Sequence, residues 1–182
     1  MFVWCAGILM ASAASIAPIR EVPPALVAKF APTNEVSGTF VQRKIVRENG
    51  KETVYVTKGT YRLRPGKDFT WRTKEPFETC FYATPTNYVY SNEDERVSRP
   101  LRELPGYSHF APVFKGDFSV ALKAFRANYA EQGGRHYLRA KPDNFRLSRH
   151  LERIDLEGAG KRWKAVATLA NQIRFEWLLT DD

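Results

Sequence analysis

Few side chains in this sequence have the type and spacing that catalysis or metal binding requires. The three histidines are His109, His136 and His150, and none stands at a metal-ligand spacing from another histidine, a cysteine or a carboxylate. The sequence also lacks a glycine-rich phosphate loop, an H-E-x-x-H motif and a G-x-S-x-G motif. These observations predict a protein that is not an enzyme and that uses neither a metal nor a cofactor.

Two groups of carboxylates are the remaining candidates for chemistry. Asn92-Glu93-Asp94-Glu95 gathers three carboxylates beside an asparagine, but without the ligand spacing and the glycine of a calcium loop, so we expect a solvated turn. Asp155 and Glu157 alternate along a predicted strand and could act with a distant carboxylate as in a glycosidase, although exposed strand carboxylates are commonplace. Cys80 lies in an apolar strand, where a buried and unreactive thiol is expected.

The composition favours a folded domain with a modest basic excess. The 182 residues fit one domain, and 43% of them are apolar, which is enough for a packed core. Lys and Arg number 28 against 20 Asp and Glu, which gives a net charge of +8 and favours anionic membrane surfaces or lipid headgroups. No nucleic-acid partner is expected, because the sequence has no zinc-ligand set, no RNP-like motif and no long basic run.

The N-terminal segment has the composition of an export signal. Residues 2–14 are apolar and uncharged, too few to span a bilayer, and include Ala11-Ser12-Ala13, which matches an A-x-A cleavage site. The usual basic residues before such a run are missing, and a buried N-terminal helix is the alternative. We predict a signal peptide over residues 1–13 and a single domain over 14–182, in which Cys80 is the only cysteine and no internal disulfide forms.

The pattern along the chain runs from strands to helices and back to strands. Asn49-Gly50 predicts a tight hairpin between the β-rich segments 36–46 and 53–64. Further strands are predicted at 69–72, 79–83, 87–90, 135–140, 151–156, 163–169 and 172–179. Helices are predicted at 19–30, 100–110 and 117–131. The last rests on an apolar stripe of Phe118, Ala121, Leu122, Phe125 and Tyr129. Because no β-α-β alternation occurs, we expect an antiparallel sheet with the helices covering one face.

One stretch of the sequence carries a family resemblance. It reads Ser37-Gly-Thr-Phe-Val-Gln42, then Lys58-Gly-Thr-Tyr-Arg-Leu-Arg64-Pro65, then Phe69-Thr-Trp71, with Pro76 following. It resembles the N-terminal half of the LolA family, periplasmic carriers of outer-membrane lipoproteins, in which a Phe-x-Gln strand, a strand ending in Arg-Pro and an aromatic-x-Trp strand follow one another. The segment 114–118 and the end of the chain at Asp182 are more similar to the shorter LolA-like proteins than to the principal carrier.

The resemblance implies a fold and a binding site. The implied fold is mainly β with helices, an incomplete antiparallel β-barrel wrapped around a helical lid, with an apolar cavity between them. Arg64 matches the family's lid-contacting arginine, and Trp71 matches a tryptophan that faces the cavity. The aromatic content of 13% agrees with such a cavity, although ordinary sheet propensity is the alternative. The predicted ligand-binding side chains are Phe40, Tyr61, Leu63, Phe69, Trp71, Phe81, Leu122 and Phe125.

The implied function is that of a monomeric carrier and lipid chaperone in the periplasm. Its ligand would be the acyl chain of a lipoprotein or of another lipid-linked compound, moved towards the outer membrane, with inner-membrane transport machinery as a further partner. Two alternatives remain. One is a periplasmic hydrolase of lipids or glycans, which needs a histidine brought beside a carboxylate or a serine by folding. The other is an adaptor without a ligand that docks to a transport machine through its basic surface.

Overall fold

One antiparallel sheet accounts for most of the structure. The computed structural model describes residues 34–104 and 123–182, together with the backbone of residues 17 and 18. Within these ranges twelve strands form an open, curved sheet in the order β1-β8-β9-β10-β11-β12-β2-β3-β4-β5-β6-β7. The strands are β1 (Ala17–Pro18), β2 (Val36–Glu48), β3 (Lys51–Arg64), β4 (Asp68–Glu75), β5 (Thr79–Ala83), β6 (Asn87–Ser91), β7 (Arg96–Pro100), β8 (Phe125–Gln132), β9 (Arg135–Pro142), β10 (Leu151–Ala159), β11 (Arg162–Leu169) and β12 (Arg174–Asp181).

The longest hairpin joins β2 to β3 through the predicted tight turn. Asn49 and Gly50 both have positive φ, 49° and 76°, as a two-residue turn of this kind requires. The two strands then stay in register from Glu48 opposite Lys51 to Val36 opposite Leu63. On its other side β2 pairs with β12, so the C-terminal strand joins the two halves of the chain in one sheet. The predicted antiparallel sheet is confirmed.

The two faces of the sheet differ in chemistry, as the period-two alternation along each strand predicts. One, which we call the apolar face, carries aromatic and aliphatic side chains on almost every strand. Its members include Phe40, Tyr61, Trp71, Phe81, Leu138, Leu156, Trp163 and Leu179. The opposite, charged face carries most of the ion pairs. They include Arg43 with Glu176, Arg139 with Asp155, and Arg153 with Asp155.

The predicted helix over residues 117–131 is wrong for its described part. Residues 125–132 form strand β8, which pairs with β9 through the Gly133-Gly134 turn and with β1 on its other side. Phe125 and Tyr129 are four residues apart, so they share a face in a helix and in a strand alike. The sequence pattern could not separate the two, and pairing with β9 overrides the helical propensity of the segment. Residues 117–122, including Leu122, lie outside the described residues.

Little of the predicted helical lid falls within the described chain. The helix predicted at 100–110 is, where described, a single 3-10 turn at Leu101–Glu103, preceded by strand β7, which the sequence did not predict. The helix predicted at 19–30 lies outside the described residues. The described part contains one short α-helix, α1 (Phe145–Ser148), whose first turn is capped by the Asn144 side chain at 2.8 Å from the Leu147 amide. It contains no helix long and apolar enough to cross a bilayer.

Candidate ligand-binding face

Six of the eight side chains predicted to bind ligand lie together on the apolar face. They come from four consecutive strands of the sheet, β2 to β5. Tyr61, Trp71 and Phe81 stand opposite one another across three strands, and Leu63 stands opposite Phe69 in the next row. Phe40 lies on β2 opposite Gly59. The strand alternation of this segment therefore gathers the predicted residues into one apolar area.

Phe40 is anchored on a glycine. Its ring is 2% exposed and stacks on Trp71, with 3.8 Å between ring centroids and 20° between ring planes. A Cβ atom on Gly59 would lie 1.9 Å from the Arg72 carbonyl oxygen and 2.8 Å from the Phe40 ring. The glycine in the Lys58-Gly59-Thr60 segment therefore makes room for the Phe40 ring, and the stacked ring fixes Trp71 in place.

A row of aromatic rings continues from Trp71 to β6, next to the edge strand β7. Centroid distances are 6.2 Å from Trp71 to Phe69, 6.4 Å from Phe69 to Phe81 and 5.9 Å from Phe81 to Tyr88. We call Phe40, Trp71, Phe69, Phe81 and Tyr88 the aromatic ladder. Except for Phe40, its members are only partly buried. The ladder thus forms a continuous apolar strip across β2, β4, β5 and β6 that retains accessible ring surface.

Two polar contacts hold the aromatic side chains that flank the ladder. Trp177 Nε1 donates to Gln42 Oε1 at 2.7 Å, so the glutamine of the Phe-x-Gln motif orients a tryptophan on the neighbouring strand β12. The Tyr61 hydroxyl donates to Asp181 near the C-terminus. Burial, this hydrogen bond and the negative charges of Asp181 and Asp182 raise the pKa of Tyr61 above its ordinary value. Tyr61 is therefore a neutral donor at physiological pH.

The remaining predicted site residues lie elsewhere. Phe125 is on β8, on the apolar face but on the far side of β9 to β12 from the ladder. It belongs to a strand and cannot form the predicted helical lid. Leu122 lies outside the described residues. Arg64 binds Asp68 across the turn between β3 and β4, and the lid contact implied for it stays a prediction.

A second cluster on the apolar face was missed by the sequence analysis. Leu138, Leu156 and Trp163 form a buried core on β9, β10 and β11. Beside it, His136 Nδ1 lies 2.7 Å from the Tyr129 hydroxyl and 3.6 Å from Glu131 Oε2, and its ring stacks on Trp163 at 6.0 Å. The β8–β9 hairpin brings these groups together, and the helix predicted over residues 117–131 does not predict that hairpin.

Of the two carboxylate groups singled out from the sequence, one lies in a turn and the other contributes an ion pair. Asn92 Oδ1 accepts from the amides of Asp94 and Glu95 at 3.0 and 2.7 Å, which makes the 92–95 segment a capped turn. Asp155 accepts from Arg139 Nε at 2.6 Å and from Arg153 Nε at 2.9 Å. In residues 34–104 and 123–182 no three His, Cys, Asp or Glu side chains are grouped as a metal site would require.

A groove of about 540 Å³ lies at the sheet end where the β10–β11 turn is found. Its lining is mixed: three cations, one carboxylate, two leucines and three other residues. They are Arg135, Arg162, Lys164, Glu157, Leu178, Leu179, Ala159, Trp163 and Thr180. In the described chain neither Arg135, Arg162 nor Lys164 takes part in an ion pair. The groove therefore combines polar, charged and apolar side chains and is unlike the aromatic ladder.

Comparison with known proteins gives distant structural likeness only. No protein-family model and no curated protein matches the sequence. The chain is similar to a LolA superfamily protein from Nitrosomonas europaea, at 10% identity over 89% of this chain and 95% of that chain, with a TM-score of 0.39. It is also similar to the ywiB protein from Bacillus subtilis, at 11% identity over 81% of this chain and 92% of that chain, with a TM-score of 0.24. A DUF1329 family protein from Desulfovibrio piger is similar at 9% identity over 87% of this chain and 88% of that chain, with a TM-score of 0.29. At these values the likeness does not place the chain in a family.

Proposed function

We propose that this chain is a non-catalytic periplasmic carrier that holds the acyl chain of a lipoprotein, or of another lipid-linked compound, against the aromatic ladder. The observation that carries the proposal is the ladder itself. Its rings stand on one face of four strands and keep accessible apolar surface around Trp71, Phe69 and Phe81. Partly buried aromatic strips of this kind are suited to flexible apolar ligands, because ring faces contact methylene groups without demanding directional bonds.

The energetics suit reversible binding. Each methylene group removed from water contributes about 0.8 kcal/mol, so a 16-carbon chain gains on the order of 10 kcal/mol before costs. Ordering the ligand and the side chains around it offsets much of that gain. A carrier must release its cargo, and the accessible ring surface of the ladder is consistent with that need.

Quenching of tryptophan fluorescence by a brominated fatty acid tests the proposal. We expect brominated stearate to quench the wild-type protein, and Trp71→Phe to lose a large part of the quenched signal. Tyr55→Ala is the matched control, because Tyr55 lies on the same strand face but is 56% exposed beyond the ladder. Native mass spectrometry of freshly purified protein should also detect a co-purified lipid. Absence of both quenching and bound lipid would contradict the proposal and indicate a packed structural domain that binds no acyl chain.

The periplasmic location is part of the same proposal and has its own test. It rests on the apolar, uncharged residues 2–14 and the Ala11-Ser12-Ala13 sequence. N-terminal sequencing of the exported protein should give a start between Ala14 and Ile16. Recovery of intact protein beginning at Met1 from the cytosol would contradict export.

A hydrolase of lipids or glycans is the second candidate, and His136 is the observation that favours it. His136 meets the condition of a histidine beside a carboxylate, with Glu131 at 3.6 Å. However, its Nδ1 already contacts the Tyr129 hydroxyl, and its ring lies flat against Trp163 with 5° between the planes. These contacts are those of a packed side chain. If the hydrolase candidate is right, the protein cleaves an ester or glycoside substrate and His136→Gln abolishes the cleavage without loss of fold.

A further inference from the structure

Within residues 34–104 and 123–182, half of strand β3 has no neighbouring strand on one of its sides. Strand β2 pairs with β3 from Lys51 to Leu63, whereas β4 pairs only with residues from Lys58 to Arg64. Strand β4 ends at Glu75, next to Pro76, which has no amide hydrogen to continue the ladder. In the described chain no strand pairs with Lys51–Thr57 on the side away from β2. We call that side of Lys51–Thr57 the open edge.

The hairpin geometry identifies the backbone groups that the open edge presents. After the two-residue turn, Lys51 pairs with Glu48, and alternate residues of β3 point their amide and carbonyl groups towards β2. The intervening residues Glu52, Val54 and Val56 therefore direct theirs outwards. Three N–H groups and three C=O groups are thus available in the spacing that an added strand requires.

The centre of the open edge is exposed and apolar. Val54 is 38% exposed, Tyr55 56% and Val56 45%. Proteins usually protect sheet edges with charges or proline. The outermost strand β7 follows that pattern, because its sequence is Arg96-Val-Ser-Arg-Pro100. The open edge has β-branched and aromatic residues at its centre instead, which is the composition of a strand that pairs.

The side chains around the open edge define the chemistry of a suitable strand. Val54 and Val56 project from the charged face and suit β-branched apolar neighbours. Lys51 and Tyr55 project from the other face, where Lys44 stands opposite Tyr55 with its Nζ 6.0 Å from the ring. Neither Lys44 nor Lys51 takes part in an ion pair within the described chain. Acidic residues on that face of an added strand would meet Lys51 directly and Lys44 across the Tyr55 ring.

A second copy of the chain fits this edge poorly. Two copies would pair over the residues of the open edge only, whereas stable interfaces use about 20–30 residues a side. In an antiparallel pair of open edges, Thr57 of one copy would lie near the Asn49-Gly50 turn of the other. Strand β4 of the first copy, which pairs with β3 beyond Thr57, would therefore meet that turn. An extended segment carries no neighbouring strand that would meet the turn, and the addition of a short strand to a sheet edge is a recognised mode of peptide binding.

We propose that the open edge of β3 is a docking site for an extended segment of a partner protein in which acidic residues alternate with β-branched apolar residues. The segment adds to the sheet as a strand beyond β3, with its apolar side chains beside Val54 and Val56 and its carboxylates beside Lys51 and, across the Tyr55 ring, Lys44.

The test uses a fluorescein-labelled heptapeptide of alternating Glu and Val, with the Lys and Val counterpart as the charge control, and measures binding by fluorescence anisotropy. We expect the Glu peptide to bind the wild type, and Val56→Pro to weaken binding about tenfold, since it removes an outward N–H. Val56→Thr keeps the amide and the branched shape, so it should bind like the wild type. Lys51→Glu should weaken the Glu peptide and not the Lys peptide.

Hydrogen exchange on the wild-type protein gives a measurement independent of any variant's folding. The amides of Val54 and Val56 should exchange more slowly when the Glu peptide is added, while the Val89 amide, within β6, should not change. Unchanged exchange at Val54 and Val56, or equal affinity of Val56→Pro and the wild type, would overturn the proposal. Self-association of the wild type that Val56→Pro abolishes, without peptide binding, would identify a second copy as the occupant instead.

Discussion

Arg64 and Asp68 form a two-point ion pair across the turn between β3 and β4. Arg64 Nε donates to Asp68 Oδ1 at 2.9 Å, and Nη2 donates to the second carboxylate oxygen. The Lys67 amide closes the same turn by donating to the Arg64 carbonyl at 2.9 Å. Asp68 is 7% exposed, so its charge depends on this partner. The Arg-Pro element of the sequence thus fixes the turn that places Phe69 and Trp71.

Asp68 should give the protein an acid-sensitive component of stability. The hydrogen bonds from Arg64 hold the pKa of Asp68 below its ordinary value, although burial opposes them. Stability from such a group is complete above the unfolded pKa of about 3.9 and is lost as pH falls through the lower folded value. Urea unfolding between pH 2 and pH 7 should therefore show a shallower acid decline in Asp68→Asn than in the wild type. Parallel curves would contradict this role.

Replacement of Arg64 should destabilise the fold more than replacement of its strand neighbour. Arg64→Leu leaves the Asp68 carboxylate buried without its main donor, and a buried unpaired charge is costly. Arg62→Leu is the matched control, because Arg62 projects from the same strand face, is exposed and has no ion pair in the described chain. Thermal unfolding should show a clear decrease for Arg64→Leu and little change for Arg62→Leu. Equal melting temperatures would mean that the pair contributes nothing.

The sequence predicted the part of the sheet whose signals are local. Asn49-Gly50 defines the β2–β3 hairpin through its positive φ values. Alternation along residues 173–179 identified β12, and segment 79–83 was predicted with the bounds that β5 has. The six predicted site residues from Phe40 to Phe81 share one face because strand alternation and short hairpins leave little freedom in their register.

The remainder depends on long-range pairing that the sequence pattern does not encode. Segment 125–132 satisfies a helical and a strand period alike, and its partners β1 and β9 decide between them. The contact of His136 with Tyr129 follows from that hairpin, and a helix over residues 117–131 does not predict it. Gln42 and Trp177 are 135 positions apart in the sequence, so no rule of local spacing predicts their hydrogen bond. Gly133-Gly134 was the one signal that could have indicated a hairpin there.

Gly59 should tolerate no side chain. Its added Cβ would lie within 1.9 Å of the Arg72 carbonyl oxygen, a backbone atom that cannot move without disturbing β4. Forcing an extra methyl group into packed surroundings costs about 1–3 kcal/mol. Gly59→Ala should lower the free energy of unfolding by that amount and weaken the Phe40–Trp71 stacking. Thr53→Ala, on the same strand and exposed, should change it by less than about 0.5 kcal/mol.

Gln42 should be needed as a hydrogen-bond acceptor for Trp177. Gln42→Met keeps the length of the side chain and removes the oxygen 2.7 Å from Trp177 Nε1. The loss should cost about 1 kcal/mol in urea unfolding, because the partly buried indole N–H is left without this partner. Gln42→Glu retains an acceptor and should cost less. A Met variant as stable as the wild type would show that solvent replaces the glutamine.

Tyr61 should make the protein sensitive to alkaline pH. Burial, the hydrogen bond to Asp181 and the charges of Asp181 and Asp182 raise the pKa of Tyr61. Because the pKa of Tyr61 is raised in the folded state, its stabilising contribution is complete below the unfolded tyrosine pKa of about 10 and is lost as pH rises through the folded value.

At pH 7 Tyr61→Phe should cost about 1 kcal/mol, the contribution of one hydrogen bond. In urea unfolding at stepped pH values, the wild type should lose stability above about pH 10 more steeply than Tyr61→Phe. Because every other group is common to both proteins, the difference between the two curves isolates Tyr61. A constant difference across this range would mean that the hydrogen bond to Asp181 does not raise the pKa of Tyr61.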